Sequence, residues 1–500
     1  MWRGSLCRRK KRGRSLTILA WSRSSVPQPM SVLEFDLLAK PYAHGFGRAL
    51  TAYLSESVSV LTERRSGHLY SALVNGGESE QRRLPSIYLS PDAWQATVLP
   101  EIRDQLEQLR SLHSASPADA LGKAAHLFSR CIELHHLMLL PARQAMSDFQ
   151  EFCETNAGVE AGSMVPLEAL LLEQSPPMLC AVARLVDMRE RFGVLSDDER
   201  IDLVDDGAPD GDGYGVAQPG WLDDRRYVLW ADRMLRRFRV DGLAIYLIEA
   251  NAKTRRDRAL ATLCLAVTID KREQFESLLL HAQAGAAAAE IHGPMMHVRY
   301  MHELRCLALC FGRQLVDDGL LDQPHDIFHL SLDDLAGDCE RGVIASRRDD
   351  YERQLQLAPP LTSLQLPIPD NAKPLSVRAQ ERLRLMGGIE GSRSGETEWH
   401  GVPASPGRAS GPLRVPRSQA DFAAVRPGEV ALVPDAGPAW GWLTLGVAAL
   451  VVEHGSPLGH APTMARQLGV PCIVSASGLA SILSDGQHLE VCGDSGRVNW

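Results

Sequence analysis

The sequence predicts a multidomain chain, in which a mostly α-helical N-terminal region precedes a compact C-terminal α/β domain. Between residues 31 and 363 apolar residues recur mainly at the helical period. Prolines and glycines cluster between 364 and 399, and short β-branched runs alternate with glycines from 400 to 500. A length of 500 residues has room for these parts.

The composition is that of a globular protein, with 45% hydrophobic and 23% charged residues. Residues 1–30 contain eight Lys or Arg and no acid, although the net charge is -9, so the rest of the chain is acidic. This balance argues against a nucleic-acid or anionic-membrane surface. The ten cysteines include no zinc-type spacing, and we expect a cytoplasmic protein with reduced thiols and no metal site.

The basic segment 1–30 contains an apolar run, 15–21, that is too short for secretion or membrane spanning. One interpretation is a targeting tail. The composition favours a disordered extension, with Met30 as a possible true start.

The clearest helix of the region 31–363 starts at Ser116, because Ser116 and Asp119 resemble a capping box with a proline between them. We expect Pro141 to interrupt it. Further helices are predicted at 92–112, 144–155, 222–239, 254–267, 272–290 and 294–318.

Two segments are predicted to lack regular structure. The acidic, glycine-rich stretch 205–220 lacks the distal glutamate of a calcium loop, so a solvated internal loop is favoured. The segment 364–399 has the composition of a flexible linker between the helical domain 31–363 and the domain 400–500.

The C-terminal domain contains four predicted strands and one helix. The helix spans Ala461 to Leu468. The strands, three of them expected to be largely buried, are 430–433, 448–452, 472–474 and 488–491.

His460 is the candidate for chemistry in this domain. A buried strand is expected to end at Glu453, and after a glycine-containing loop a helix begins at or just after His460. The free N–H groups and positive dipole of a helix start can hold a phosphoryl group. Neutral imidazole is a good nucleophile near neutral pH, which suits a phosphoryl carrier.

The residues around His460 resemble the mobile, swivelling phosphohistidine domain of the phosphoenolpyruvate-utilising enzymes. The residues in register are Glu453, Gly455, His460, Ala461, Ala465, Arg466, Gly469 and Pro471, and upstream Ser405 and Gly407 lie in a Ser-Pro-Gly turn. The resemblance covers about 400 to 500 and implies a β/β/α fold with His460 as the catalytic residue. It implies that Gly459, Ala461 and Arg466 position the phosphate, and that Glu453, Gly455, Ser405 and Gly407 support the motif.

Four positions depart from the family pattern. Gly459 replaces the hydroxyl or thiol residue that usually precedes the histidine, Ser456 replaces a glycine, and 462–463 replaces an apolar pair. Loss of the hydroxyl removes one phosphate hydrogen bond, worth about 1 to 2 kcal/mol.

The segment 300–335 more weakly resembles the region before the histidine domain in phosphoenolpyruvate synthase-like and rifampicin phosphotransferase-like proteins. That resemblance implies an acceptor pocket with His297, Arg299, His302 and Arg305. The alternative is that these are solvated or satisfied helix residues, since no spacing among them demands a ligand.

Family enzymes load their histidine through an ATP-grasp domain or a TIM barrel, and neither pattern is found. The sequence 44–47 is a lone GxG, and the end at Trp500 leaves no room for a barrel. We therefore expect a phosphotransferase whose ATP and Mg²⁺ are bound by a separate ATP-grasp partner. The alternatives are an inactive interaction or regulatory protein, and a complete enzyme with an unrecognised N-terminal nucleotide site.

Overall fold

The computed structural model describes residues 7–11, 14–18, 21–23, 29–65, 67–76, 91–160, 162–173, 176–192, 233–293, 296, 299–337, 341–355, 362–363, 375–376, 379, 392–393, 397–417 and 419–500. The chain divides into two compact units. Unit 1 comprises 1–140, 214–220 and 295–383, and unit 2 comprises 141–213, 221–294 and 384–500. The predicted fold class, a helical N-terminal region and a C-terminal α/β domain, is confirmed.

The helices lie almost entirely before residue 356. In chain order they are α1 (Val32–Glu34), α2 (Lys40–Leu54), α3 (Pro91–Ser111), α4 (Pro117–Asn156), α5 (Val165–Glu168), α6 (Pro177–Phe192), α7 (Gly242–Ala266), α8 (Arg272–Gly293), α9 (Arg299–Asp317), α10 (Leu332–Ala336), α11 (Arg341–Leu355) and α12 (His460–Leu468). None of the helices in the described ranges is both long and apolar enough to cross a membrane.

The strands lie at both ends of the chain. They are β1 (Cys7–Lys11), β2 (Arg14–Ile18), β3 (Trp21–Arg23), β4 (Val58–Arg65), β5 (His68–Asn75), β6 (Thr362–Ser363), β7 (Ser392–Arg393), β8 (Glu398–His400), β9 (Val402–Ser405), β10 (Arg408–Arg414), β11 (Val430–Asp435), β12 (Ala449–His454), β13 (Cys472–Val474), β14 (His488–Cys492) and β15 (Arg497–Asn499).

Helix α4 shows one predicted boundary that is wrong. The side chain of Ser116 accepts from the N–H of Asp119, as the sequence predicted, but the helix continues through Pro141 to Asn156. The predicted helix 144–155 is therefore the C-terminal part of α4. A proline inside a helix costs about 3 kcal/mol. We attribute the continuity to burial of apolar residues on both sides of it, among them Met138 and Phe149.

The remaining predicted helices agree in place with α3, α7, α8 and α9, with shifted ends. Helix α7 begins twelve residues before the predicted start, because Asp241 Oδ1 accepts the N–H of Ala244 at 2.7 Å and caps the new first turn. The predicted loop 205–220 lies outside the described residues, as do most of the predicted helix 222–239 and most of the predicted linker 364–399.

Unit 1 contains a β-hairpin that the helical reading of 31–363 did not predict. Strands β4 and β5 pair antiparallel around Gly67, whose φ of 77° suits a glycine, and extend into a sheet of order β4-β5-β3-β6. Strands β1, β2 and β3 lie within 1–30, where composition predicted disorder; alternating polar and apolar residues in Arg14–Ile18 suit a strand.

Unit 2 contains a nine-stranded mixed sheet, in the order β7-β8-β15-β14-β10-β11-β12-β13-β9. Strands β10 to β13 run parallel, and the four predicted strands are confirmed as β11, β12, β13 and β14. Neighbouring residues of β12 face opposite cores: Leu450 packs with α12, and Val451 packs with the residues on the other face. Burial on both faces explains the continuous apolar runs.

Candidate functional site

The site is built where β12 turns into α12. The strand ends at His454, the loop 455–459 follows, and Gly459 caps the helix with an extended backbone. His460 is the first helical residue, as predicted, and its side chain is 23% exposed. A histidine in this place is anchored by a buried strand yet remains open to a reactant.

Glu453 and Gly455 hold the loop by different means. The Oε1 atom of Glu453 accepts the N–H groups of Gly478 at 2.9 Å and Ala480 at 3.1 Å, which ties the loop after β13 to the end of β12. A Cβ atom on Gly455 would lie 2.5 Å from the Cβ of Ala436, so only glycine allows this approach. Both predicted motif residues therefore act on loop geometry.

Three backbone donors around the start of α12 already have acceptors. Gly459 donates to Ser456 O at 2.9 Å, Ala461 to Ala436 O at 3.2 Å, and Thr463 to Gly459 O at 3.0 Å. The sequence had suggested free donors beside His460. The N–H groups of Gly459 and Ala461 are therefore already hydrogen-bonded within the protein. Phosphate positioning by these two residues stays a prediction.

Arg466 is buried beneath the loop and belongs to its framework. Its Nη1 donates to Ala404 O at 2.6 Å and Pro457 O at 2.5 Å, and its Nη2 donates to Thr463 Oγ1 at 3.1 Å. Burial lowers the pKa of the guanidinium to about 10, against the opposing effect of nearby groups that include the Glu290 carboxylate. A phosphate-positioning role for Arg466 also stays a prediction.

Helix α7 holds the far end of α12. Arg255 donates from Nη2 to the carbonyl oxygens of Arg466 at 2.7 Å and Gln467 at 3.0 Å, and its Nη1 lies 3.3 Å from Glu168. Carbonyl groups at a helix C-terminus are unsatisfied within the helix, and a cation also favours that end of the dipole.

Glu290 is a site residue that the sequence did not reveal. It lies near the end of α8, and its Oε1 is 3.5 Å from Nδ1 of His460. Its side chain is 9% exposed. No motif could have found it, because the contact joins residues far apart in the chain.

Glu290 also lines a cleft that is open to solvent. Glu290, Thr463, Arg466 and Gln467 supply its polar groups. The apolar lining is Met146, Leu167, Leu170, Leu171, Leu172, Ala286, Ala289 and Leu458. Within the described ranges no group of three or more His, Cys, Asp or Glu side chains is arranged to hold a metal ion.

Residues 425–496, which contain this strand-loop-helix, match the family described as the PEP-utilising enzyme, mobile domain. Unit 2 thus contains a phosphoenolpyruvate-utilising enzyme mobile domain. The predicted recognition is confirmed for this part of the chain.

Relatives of known name match longer stretches. A chondramide synthase of Chondromyces crocatus is 27% identical over 457 residues, covering 81% of this chain and 12% of the synthase. The phosphotransferase YvkC of Bacillus subtilis, itself uncharacterised, is 26% identical over 198 residues, 39% of this chain and 23% of its own. Rifampicin phosphotransferase of the same organism is 25% identical over 192 residues, which cover 37% of this chain and 20% of the phosphotransferase. This chain thus spans between an eighth and a quarter of the length of these relatives.

The predicted opening of the mobile domain lies opposite β13. Ser405 is fully buried at the end of β9, and Gly407 adopts a φ of 112° while its N–H donates to Asp494 Oδ1 at 3.1 Å. A Cβ on Gly493 would lie 1.9 Å from Ser405 O, so strand and loop touch through their backbones. These contacts are consistent with motif support, a role that stays a prediction.

The predicted acceptor residues belong to unit 1, whereas the mobile domain belongs to unit 2. His297 lies outside the described residues, and Arg299, His302 and Arg305 lie on α9. Arg305 is buried, donates from Nη2 to His325 Nε2 at 2.9 Å, and stacks over Phe328. The acceptor pocket stays a prediction.

Proposed function

We propose that this chain is a phosphotransferase component that carries a phosphoryl group on His460, from a nucleotide bound by a partner protein to a small-molecule acceptor. The observation that carries the proposal is a partly exposed histidine at the first position of α12, within a matched mobile domain. The relatives named as phosphotransferases support the same reaction class.

The donor is proposed to be ATP with Mg²⁺, supplied by a separate ATP-grasp protein. His460 would attack a phosphorus atom of the nucleotide, forming a P–N bond while the P–O bond breaks and its electron pair leaves with the nucleotide. The residues of this chain would contribute position and a fixed electrostatic setting, which supply most of the catalysis in phosphoryl transfer.

The acceptor is proposed to be a small molecule with a hydroxyl group. Rifampicin phosphotransferase acts, by its name, on rifampicin, and this relative supports a small-molecule acceptor. His297, Arg299, His302 and Arg305 remain the candidates to contact it.

A second candidate function is an inactive interaction or regulatory protein that keeps the mobile-domain fold. Two observations favour it. Gly459 stands where the family has a hydroxyl or thiol residue, and the N–H of Ala461 already donates to Ala436 O.

Phosphoryl labelling distinguishes the two candidates. The full chain is incubated with ATP labelled in the β or γ position, with and without a candidate ATP-grasp partner, and the bound label is tested for acid lability and alkali stability. The wild-type chain should acquire such label only with the partner, and His460→Ala should acquire none.

The matched control is His488→Ala, because His488 is an exposed histidine of the same domain. It should label like the wild type. If no donor labels the wild-type chain, the carrier function is wrong and the regulatory one is supported.

A further inference from the structure

Glu290 brings a largely buried carboxylate to the histidine of the mobile domain. Glu290 and His460 lie in the same compact unit, with Oε1 of Glu290 3.5 Å from Nδ1 of His460. This is slightly beyond hydrogen-bond length, which is common for catalytic groups before a reactant binds. A small rotation of the imidazole would bring the two atoms within hydrogen-bond distance.

The imidazole needs a group that fixes its orientation. Neutral histidine carries its proton on Nδ1 or Nε2, and only the other nitrogen has a lone pair for attack. Gly459, the residue before His460, has no side chain that could select between the two forms. An ionised carboxylate is an acceptor only, so beside Nδ1 it favours the form with the proton there.

Glu290 is itself confined. Its side chain is 9% exposed, and it lines the cleft together with Ala286, Ala289 and the guanidinium of Arg466. The buried positive charge of Arg466 is attracted to the Glu290 carboxylate. The carboxylate is therefore held close to the imidazole ring and has little freedom to move into solvent.

We propose that Glu290 is a positioning residue that holds the proton of His460 on Nδ1, so that the lone pair on Nε2 takes the phosphoryl group. This inference rests on the proposed function. When the Nε2 lone pair forms the P–N bond, the broken P–O bond gives its electron pair to the leaving oxygen of the donor. The Nδ1 proton stays in place, and the Glu290 carboxylate faces the positive charge that develops on the ring.

The direct test is the tautomer of His460 in the unphosphorylated full chain, read by ¹⁵N NMR of histidine-labelled protein with His460→Ala as the assignment control. The wild type should show the Nδ1–H form as the major neutral species. Glu290→Leu suits the apolar cleft and removes the acceptor, so the major form should change to Nε2–H. Glu290→Gln keeps an acceptor oxygen and should largely retain the Nδ1–H form.

The labelling assay supplies the second readout. Misplacement of a reacting group costs about 10- to 100-fold in rate, so Glu290→Leu should label at least about 10-fold more slowly, with partial recovery in Glu290→Gln. The matched control is Glu276→Leu, the same substitution at an exposed position of α8. It should change neither the tautomer nor the rate.

The outcomes separate this inference from the proposed function. An unchanged tautomer in Glu290→Leu overturns the inference, whatever the labelling shows. A changed tautomer in a chain whose wild type never labels supports control of the His460 tautomer by Glu290 and overturns the carrier function. A changed tautomer with slower labelling supports both.

Discussion

Arg466 donates a hydrogen bond of 2.5 Å from its Nη1 to the carbonyl oxygen of Pro457. A residue in the second turn of α12 thereby holds the loop that leads into the helix, and the same Nη1 also reaches Ala404 on β9. Three protein acceptors replace the water that the buried guanidinium has lost. The loop, the helix and the edge strand are thus fixed by one side chain.

Arg466→Ala should lower the free energy of unfolding by about 2 to 4 kcal/mol, because it leaves the buried carbonyl group of Ala404 and the partly buried one of Pro457 without this donor. Arg466→Lys should recover only part of this, since a lysine lacks the planar fork. The measurement is amide hydrogen exchange across 455–468. Arg408→Ala, at an exposed position of β10, is the control and should leave exchange unchanged.

The alternative role of Arg466 gives a different pattern. A residue that served only the phosphoryl group would, when changed to alanine, abolish labelling of His460 while the exchange of 455–468 stayed as in the wild type.

Gly455→Ala should destabilise the mobile domain by about 1 to 3 kcal/mol, because the new Cβ would lie 2.5 Å from that of Ala436 and must displace the loop. The displacement should also slow labelling of His460, because the carbonyl of Ala436 accepts the N–H of Ala461. Denaturant unfolding and the labelling assay measure the two effects.

The double variant Gly455→Ala with Ala436→Gly removes the clashing methyl group and supplies the control. It should recover most of the stability lost by the single variant. A double variant as unstable as Gly455→Ala would show that the cost comes from the backbone conformation of residue 455.

The mobile domain was predictable because its sequence signals are local. Strands β11, β12 and β13 are buried on both faces, so each appears as a continuous β-branched run, and the glycines between them mark the turns. The position of His460 followed from the same pattern, since a strand, a short loop and a helix start are all visible along the chain.

The features that escaped prediction depend on contacts distant in the chain. Glu290 reaches His460 only through the packing of α8, and the bonds of Arg466 to Ala404 and Pro457 have no signature in spacing. The predicted break at Pro141 was wrong because burial of the helix around it outweighs the local cost of a proline. Hairpin β4–β5 was missed because its runs mix polar residues with apolar ones.

Glu453→Ala should lower the free energy of unfolding by about 2 kcal/mol. The carboxylate accepts two backbone N–H groups, and charged acceptors make stronger hydrogen bonds than neutral ones. Glu453→Gln keeps one acceptor oxygen and should cost about half as much. Hydrogen exchange of the amides of Gly478 and Ala480 measures the loss. Equal protection in Glu453→Ala and the wild type would contradict the assigned anchoring role.

Acid should loosen unit 1 around α9. Burial, and then the charge of Arg305, lowers the pKa of His325, whose Nε2 accepts from Arg305. A depressed pKa in the folded state means that the stabilising contribution is complete above the unfolded pKa of about 6.5 and is lost as the pH falls through the lower folded value. Protonated His325 cannot accept from Arg305, so the contact breaks.

The change that tests this is His325→Gln, whose amide oxygen still accepts but does not titrate. Amide exchange in α9, corrected for intrinsic rates, is compared at about pH 7.5 and about pH 5. Wild type and variant should be equally protected at the higher pH, and the variant should lose less protection at the lower one. The effect should be modest because His325 is only partly shielded from solvent. An equal loss in both proteins would assign the acid sensitivity to other groups, of which His329 is the next candidate because burial also lowers its pKa.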